Sequence, residues 1–186
     1  YEAAEVAPHN ENSALPENIH RPYLLSVGNA YPHKNLDTLL KAFALLVQDR
    51  PGLQLVLCGQ EDYFYRKILT HIHDMVLDGK VIHLGLVGDG MLHSLYRNAE
   101  SYVFPSYEEG FGLPGLEAMA MGIPVIASNT SCLGEIYGDA ALYFNPSNHE
   151  ELKERILDVL TDNSLRAECI EKGLKRVKEY SWEDTA

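Results

Sequence analysis

Positive charge is scarce in this sequence, with 15 Lys and Arg set against 27 Asp and Glu, for a formal net charge of −12. A chain so acidic has no basic face with which to release counterions, which excludes general affinity for nucleic acid or an anionic membrane surface. Any anionic ligand has to be held locally. Cysteine is scarce too: Cys58, Cys132 and Cys169 lie far apart, are odd in number and form no Cys-x-x-Cys pair. That argues against both a disulfide framework and a zinc site. Long hydrophobic runs are lacking, since Leu53 to Cys58 and Ile123 to Ala127 have the length of buried strands and fall far short of a membrane span. The first residues show no secretory-signal pattern, and a reducing, cytosolic setting is the expectation.

What is present is a hydrophobic content of 46% over 186 residues, enough for one core of ordinary size. Residues 1 to 20, with Pro8 and Pro16 among Asn and Glu, carry almost no periodicity and read as a linker or N-terminal arm. From Arg21 onward short apolar strands alternate with amphipathic helices. The strands are expected at Tyr23 to Val27, Leu53 to Leu57, Val81 to Leu84, Ser101 to Phe104, Ile123 to Ala127 and Ala141 to Phe144. Leu36, Leu39, Leu40, Phe43 and Val47 trace one helix face between the first two strands. Asn148 with Glu151 suggests a capping box before a helix that buries Leu152, Ile156 and Val159, and a further helix should start near Ser164. Continuous apolar strands are covered on both faces, so the fold class is α/β, a doubly wound parallel sheet spanning residues 21 to 180. Ser181 to Asp184 reads as the cap and first turn of another helix, so residues 181 to 186 are expected to continue into something larger.

The most informative segment runs from Pro105 to Ala120. Gly110 and Gly112 let the backbone come close to a ligand, and Pro114 suits the first position of a helix. A helix start after a strand faces the ligand edge of such a sheet. Its N–H groups and roughly half a positive charge can cradle a phosphate without basic side chains. Glu117, expected in the first turn, returns its carboxylate to the same pocket, where it can accept both hydroxyls of a ribose. Glu109 can accept hydroxyls from a sugar, leaving a diphosphate between the two carboxylates.

With these residues in place, Glu109 to Glu117 resembles the Glu-x7-Glu motif of the group 1 glycosyltransferases, retaining enzymes of the two-domain GT-B fold. The resemblance also takes in Tyr23 to Gly28, Lys34-Asn35-Leu36, Leu95 to Ala99, Gly122 to Ser128 and Ser181-Trp182-Glu183. It implies the Rossmann-like, donor-binding C-terminal half of such an enzyme. By that resemblance Glu117 holds the ribose and Glu109 the donor sugar, with Lys34 on the diphosphate. The backbone of Gly110, Phe111, Gly112 and Leu113 lines the sugar and diphosphate, and Leu86 and Val87 face the nucleobase. Glu109 and Lys34 are the expected catalytic pair. The chain departs from the family at Asn29, five residues before Lys34, where many members carry Arg. The implied donor is a nucleotide-diphosphate sugar with no further cofactor. The implied partners are an N-terminal acceptor-binding domain outside this sequence and a carbohydrate or lipid-linked acceptor, with peripheral membrane attachment left to that other domain.

No Asp-x-Asp pair is present to hold a divalent metal on the diphosphate, so helix dipole and Lys34 are expected to do that work. His71 and His73, two apart, point to different helix faces and read as solvated, while His83 reads as a hydrogen-bonded strand residue. Tyr63, Phe64 and Tyr65 read as packing and surface residues of a helix. Two other readings stay open: a non-catalytic nucleotide-sugar-binding lobe, and a nucleotide-sugar epimerase of the same fold.

Overall fold

Six strands alternate with helices because apolar β-branched and leucine runs are interrupted by turn residues at regular distances. The computed structural model describes residues 13–180. In chain order the elements are β1 (Tyr23–Val27), α1 (Leu36–Asp49), β2 (Gln54–Cys58), α2 (Tyr63–Asp74), β3 (Val81–His83), α3 (Asp89–Asn98) and β4 (Ser101–Phe104). They continue with α4 (Leu113–Ala120), β5 (Val125–Ser128), α5 (Leu133–Tyr137), β6 (Ala141–Phe144), α6 (His149–Thr161) and α7 (Asn163–Val177). The strands form one parallel sheet in the order β3-β2-β1-β4-β5-β6. This is the doubly wound α/β arrangement expected from the sequence.

Alternate residues of each strand feed two cores. Leu24, Leu55, Leu57, Val103 and Ile126 pack with α1, α2 and α6 on one face, whereas Leu25, Val56, Tyr102 and Val125 pack with α3, α4 and α5 on the other. Both faces being covered explains why the strands read as unbroken apolar runs. In α1 the stripe Leu36, Leu39, Leu40, Phe43 and Leu46 is buried, at about 1.5–3 kcal/mol per large side chain. Val47, expected on that stripe, is only partly buried.

Local hydrogen bonds set the ends of several elements, and the starts of two strands shift from expectation for that reason. Leu53 gives its N–H to Arg50 to close the Pro51-Gly52 turn, so β2 begins one residue later. Ile123 gives its N–H back to Ala118 at the end of α4 and Pro124 has none, so β5 begins at Val125. Asp162 caps α7 by accepting from Ser164 and Leu165, which starts that helix at Asn163. The capping box at α6 is half formed: Asn148 accepts from Glu151 N at 3.1 Å, but the Glu151 carboxylate accepts from Asn145 N at 2.9 Å. Ahead of β1, Ile19 is buried and Gln54 is bonded to the backbone of Asn18 and His20. The readings placed on residues 1–12 and 181–186 lie outside the described residues.

Candidate functional site

The strand order reverses between β1 and β4, and in such sheets ligands bind beyond the carboxyl ends of the strands at that point. The loops after β1 and β4 meet there. Lys34 Nζ bonds both carboxylate oxygens of Glu109, at 2.7 and 2.9 Å, and stands 5.7 Å from the centre of the Phe104 ring. Their side chains are 20% and 10% exposed, so the pair is only partly screened by water. Beside it lies a small pocket lined by Val27, Gly28, Asn29, Lys34, Phe104 and Ser106 among others. The Ser106 hydroxyl is buried there with no hydrogen-bond partner among the described residues. Asn29, the position of the family's usual Arg, accepts from Tyr31 N at 3.3 Å.

The Glu109 backbone is held from the far side. Ser131 Oγ donates to its carbonyl at 2.8 Å, Cys132 Sγ stands 3.3 Å from the same oxygen, and the Glu109 N–H donates to Ser131 Oγ at 3.3 Å. The hydroxyls of Ser128 and Thr130 both donate to the carbonyl of Ser106. Ser128, given no role from sequence, thus fixes the loop that carries Glu109.

The glycines behave differently from one another. A Cβ at Gly110 would meet nothing within 4 Å, so packing does not require glycine there. At Gly112 the backbone is left-handed at φ +88°, and a Cβ would meet the Tyr137 hydroxyl at 2.5 Å and Leu133 at 2.8 Å. A Cβ at Gly115 would also run into the Tyr137 ring. Close packing on α5 therefore requires glycine at Gly112 and Gly115. Gly112 caps α4, which puts Pro114 at the second helical position instead of the first. Glu117 is then the fifth residue, just past the first turn.

Glu117 is exposed and accepts a hydrogen bond from Tyr96 Oη at 3.1 Å. Tyr96 is almost wholly buried, and burial, with the Glu117 carboxylate beside it, pushes its pKa well above the usual tyrosine value. It stays a neutral donor. Phe111 lies edge-on to Tyr180 with ring centres 5.7 Å apart, and Leu113 is exposed. Leu86 is exposed and Val87 partly buried in the loop after β3.

The structure brings Lys34, Glu109 and Asn29 together and leaves Glu117 with Tyr96. Sequence reasoning missed Tyr96, Asn35 and Ser131. The signal for Tyr96 was thin, a tyrosine on a helix face; Ser131 offered only a hydroxyl in a loop. The lesser candidates are structural: Tyr65 is buried, donates to Gly28 O at 3.2 Å and stacks on His83, whose Nε2 lies 2.9 Å from Gly59 O. His71 and His73, read as solvated, each have a carboxylate partner, Asp37 at 2.9 Å and Asp78 at 3.0 Å. Among the described residues no three His, Cys, Asp or Glu side chains gather as a metal site, and no helix is long and apolar enough to cross a membrane.

The chain is similar to known proteins over most of its length. Over 163 residues the chain is 37% identical to the O-antigen chain mannosyltransferase B of Escherichia coli, covering 87% of this chain and 43% of that protein. Its fold superposes on sucrose-phosphate synthase from Thermosynechococcus elongatus with a TM-score of 0.78 at 31% identity, over 88% of this chain and 42% of the other. The C-terminal domain of a glycosyl transferase group 1 family protein from Francisella tularensis matches at TM-score 0.74 and 24% identity, over 85% of each chain. The chain spans less than half the length of the curated mannosyltransferase it matches. The sequence pattern described as "Glycosyl transferases group 1" matches residues 10–176, and the chain belongs to that family.

Proposed function

We propose that this chain is the donor-binding half of a retaining glycosyltransferase that moves a hexose from a nucleotide-diphosphate sugar to a carbohydrate or lipid-linked acceptor. The observation that carries the reading is the Lys34–Glu109 pair at the switch point, beside the start of α4. On donor binding the ammonium turns from Glu109 to the diphosphate, and the freed carboxylate takes sugar hydroxyls. Lys34 and the N-terminal end of α4 then stabilise negative charge on the departing diphosphate. Glu117, held by Tyr96, accepts the ribose hydroxyls.

The mannosyltransferase relative supports a hexose donor. Transfer itself is assigned to the whole protein, because the acceptor is held by another domain and the cleft must close to exclude water. That domain, rather than this acidic half, would make any contact with a membrane. A catalytic role for a divalent metal is not part of this reading, since charge stabilisation falls to Lys34 and the helix.

Calorimetric titration of residues 1–186 with uridine, guanosine and adenosine diphosphates, with and without chelator, tests the reading. At least one should bind, with an affinity that chelator leaves unchanged. Binding only with magnesium would sink the metal-free reading, and sustained sugar transfer by residues 1–186 alone would refute the division of labour between two domains.

A further inference from the structure

Lys34 owes its place to the residue that follows it. Asn35 occupies the N-cap of α1, where an asparagine side chain ordinarily accepts an N–H from the first turn. Here no such bond forms, and the backbone is left-handed at φ 55°, ψ 35°. The carboxamide is turned away from the helix and donates twice, to Pro105 O at 2.9 Å and to Pro146 O at 2.8 Å. Asn35 is buried, at 5% exposure. The two carbonyls follow β4 and β6, so one side chain joins the loops that follow three different strands.

A second link lies on the other side of Lys34, where Tyr107 N donates to His33 O at 2.7 Å. The lysine backbone is therefore fastened before and after to the segment that carries Glu109. A lysine side chain is long and rotamer-rich, so the reach of its ammonium depends on how firmly its base is held. The left-handed backbone of Asn35 closes the short 3-10 turn Pro32–Lys34, its N–H bonding Pro32 O, which leaves the twofold donation of its carboxamide unexplained by either helix.

We infer that Asn35 is a positioning residue for the donor diphosphate: its carboxamide sets Lys34 against the Glu109 loop without touching the donor. This rests on the donor-site reading above.

The test compares diphosphate with nucleoside affinity. Asn35→Gly keeps access to the left-handed backbone and removes both bonds, and Asn35→Asp keeps the shape but replaces the donor with an acceptor facing two carbonyls. Uridine, guanosine and adenosine diphosphates and the matching nucleosides are titrated into wild type and variants. Partial unfolding removes sites for both ligand types equally and leaves the affinity ratio unchanged. In both variants that ratio should fall about tenfold with nucleoside affinity retained, as for a displaced binding group. Thr38→Val removes the other donor to Pro146 O, at 3.1 Å, and should leave the ratio as in wild type. An unchanged ratio in Asn35→Gly, or an equal fall in Thr38→Val, overturns the positioning role. Should wild type prefer no diphosphate over its nucleoside, the donor reading itself fails and the inference with it.

Discussion

Lys34 and Glu109 stand 75 positions apart in the sequence, yet the ammonium of one bonds both carboxylate oxygens of the other. Without a donor each satisfies the other, so a ligand that takes one of them has to compete. Glu109→Gln should therefore tighten a nucleoside diphosphate that carries no sugar, by about 1 kcal/mol, because a weaker partner then holds Lys34. The same variant should weaken the sugar conjugate relative to the diphosphate. Titration of both ligands at low salt checks it, and weaker diphosphate binding in Glu109→Gln would contradict the competition.

Lys34→Ala should cost diphosphate binding about 1.5–3 kcal/mol, the range for a lost charged hydrogen bond, while nucleoside binding hardly changes. Asn29→Arg places a second cation beside the same pocket and should tighten diphosphate binding, with a gain that shrinks as salt rises. Equal losses for both ligands in Lys34→Ala would remove the lysine from the diphosphate.

Tyr96→Phe leaves the ring in the core and deletes the hydroxyl that Glu117 accepts from. Nucleoside and nucleoside diphosphate should weaken alike, by about 0.5–1.5 kcal/mol, because the ribose is common to both. A loss confined to the diphosphate would separate Tyr96 from ribose recognition.

Gly115→Ala drives a methyl group into the Tyr137 ring, an overpacking that costs about 1–3 kcal/mol in cores of this kind. Denaturant unfolding measures it. Since the Tyr137 hydroxyl is one of the atoms met, Tyr137→Phe combined with Gly115→Ala should lose less than the sum of the two single changes.

Alkylation should separate the cysteines. Burial pushes the Cys58 thiol up to about 12, so near pH 8 it keeps its proton and is a poor nucleophile, and burial raises Cys169 as well. Cys132 is half-exposed and should react first, by mass spectrometry of digests. Because its Sγ stands against the Glu109 carbonyl, alkylation there should also weaken donor binding. Faster modification of Cys58 would contradict the packing of β2.

The six strands were legible because a parallel sheet covered on both faces turns each strand into an apolar run bounded by turn residues. Glu109 and Glu117 could be singled out as candidates because they flank a glycine-rich helix start, and Lys34 through the family resemblance. The supporting residues could not. Asn35 works through carbonyls of two prolines, Pro105 and Pro146, and Tyr96 through a carboxylate on another helix; such partners exist only once strands have been ordered in space. The packing demand at Gly112 was hidden for the same reason, since the crowding comes from Tyr137 on α5, beyond β5.

The pairing of β1 with β4 also has a bearing on kinetics. Strands β2 and β3 and their helices lie between β1 and β4 in the sequence but outside β1 in the sheet, so uniting Lys34 with Glu109 means closing a long loop. A half-finished chain, however helical, cannot form the Lys34–Glu109 pair. Recovery of nucleoside diphosphate binding during refolding should thus lag behind the return of helical circular dichroism, making the ligand a reporter of the last long-range step.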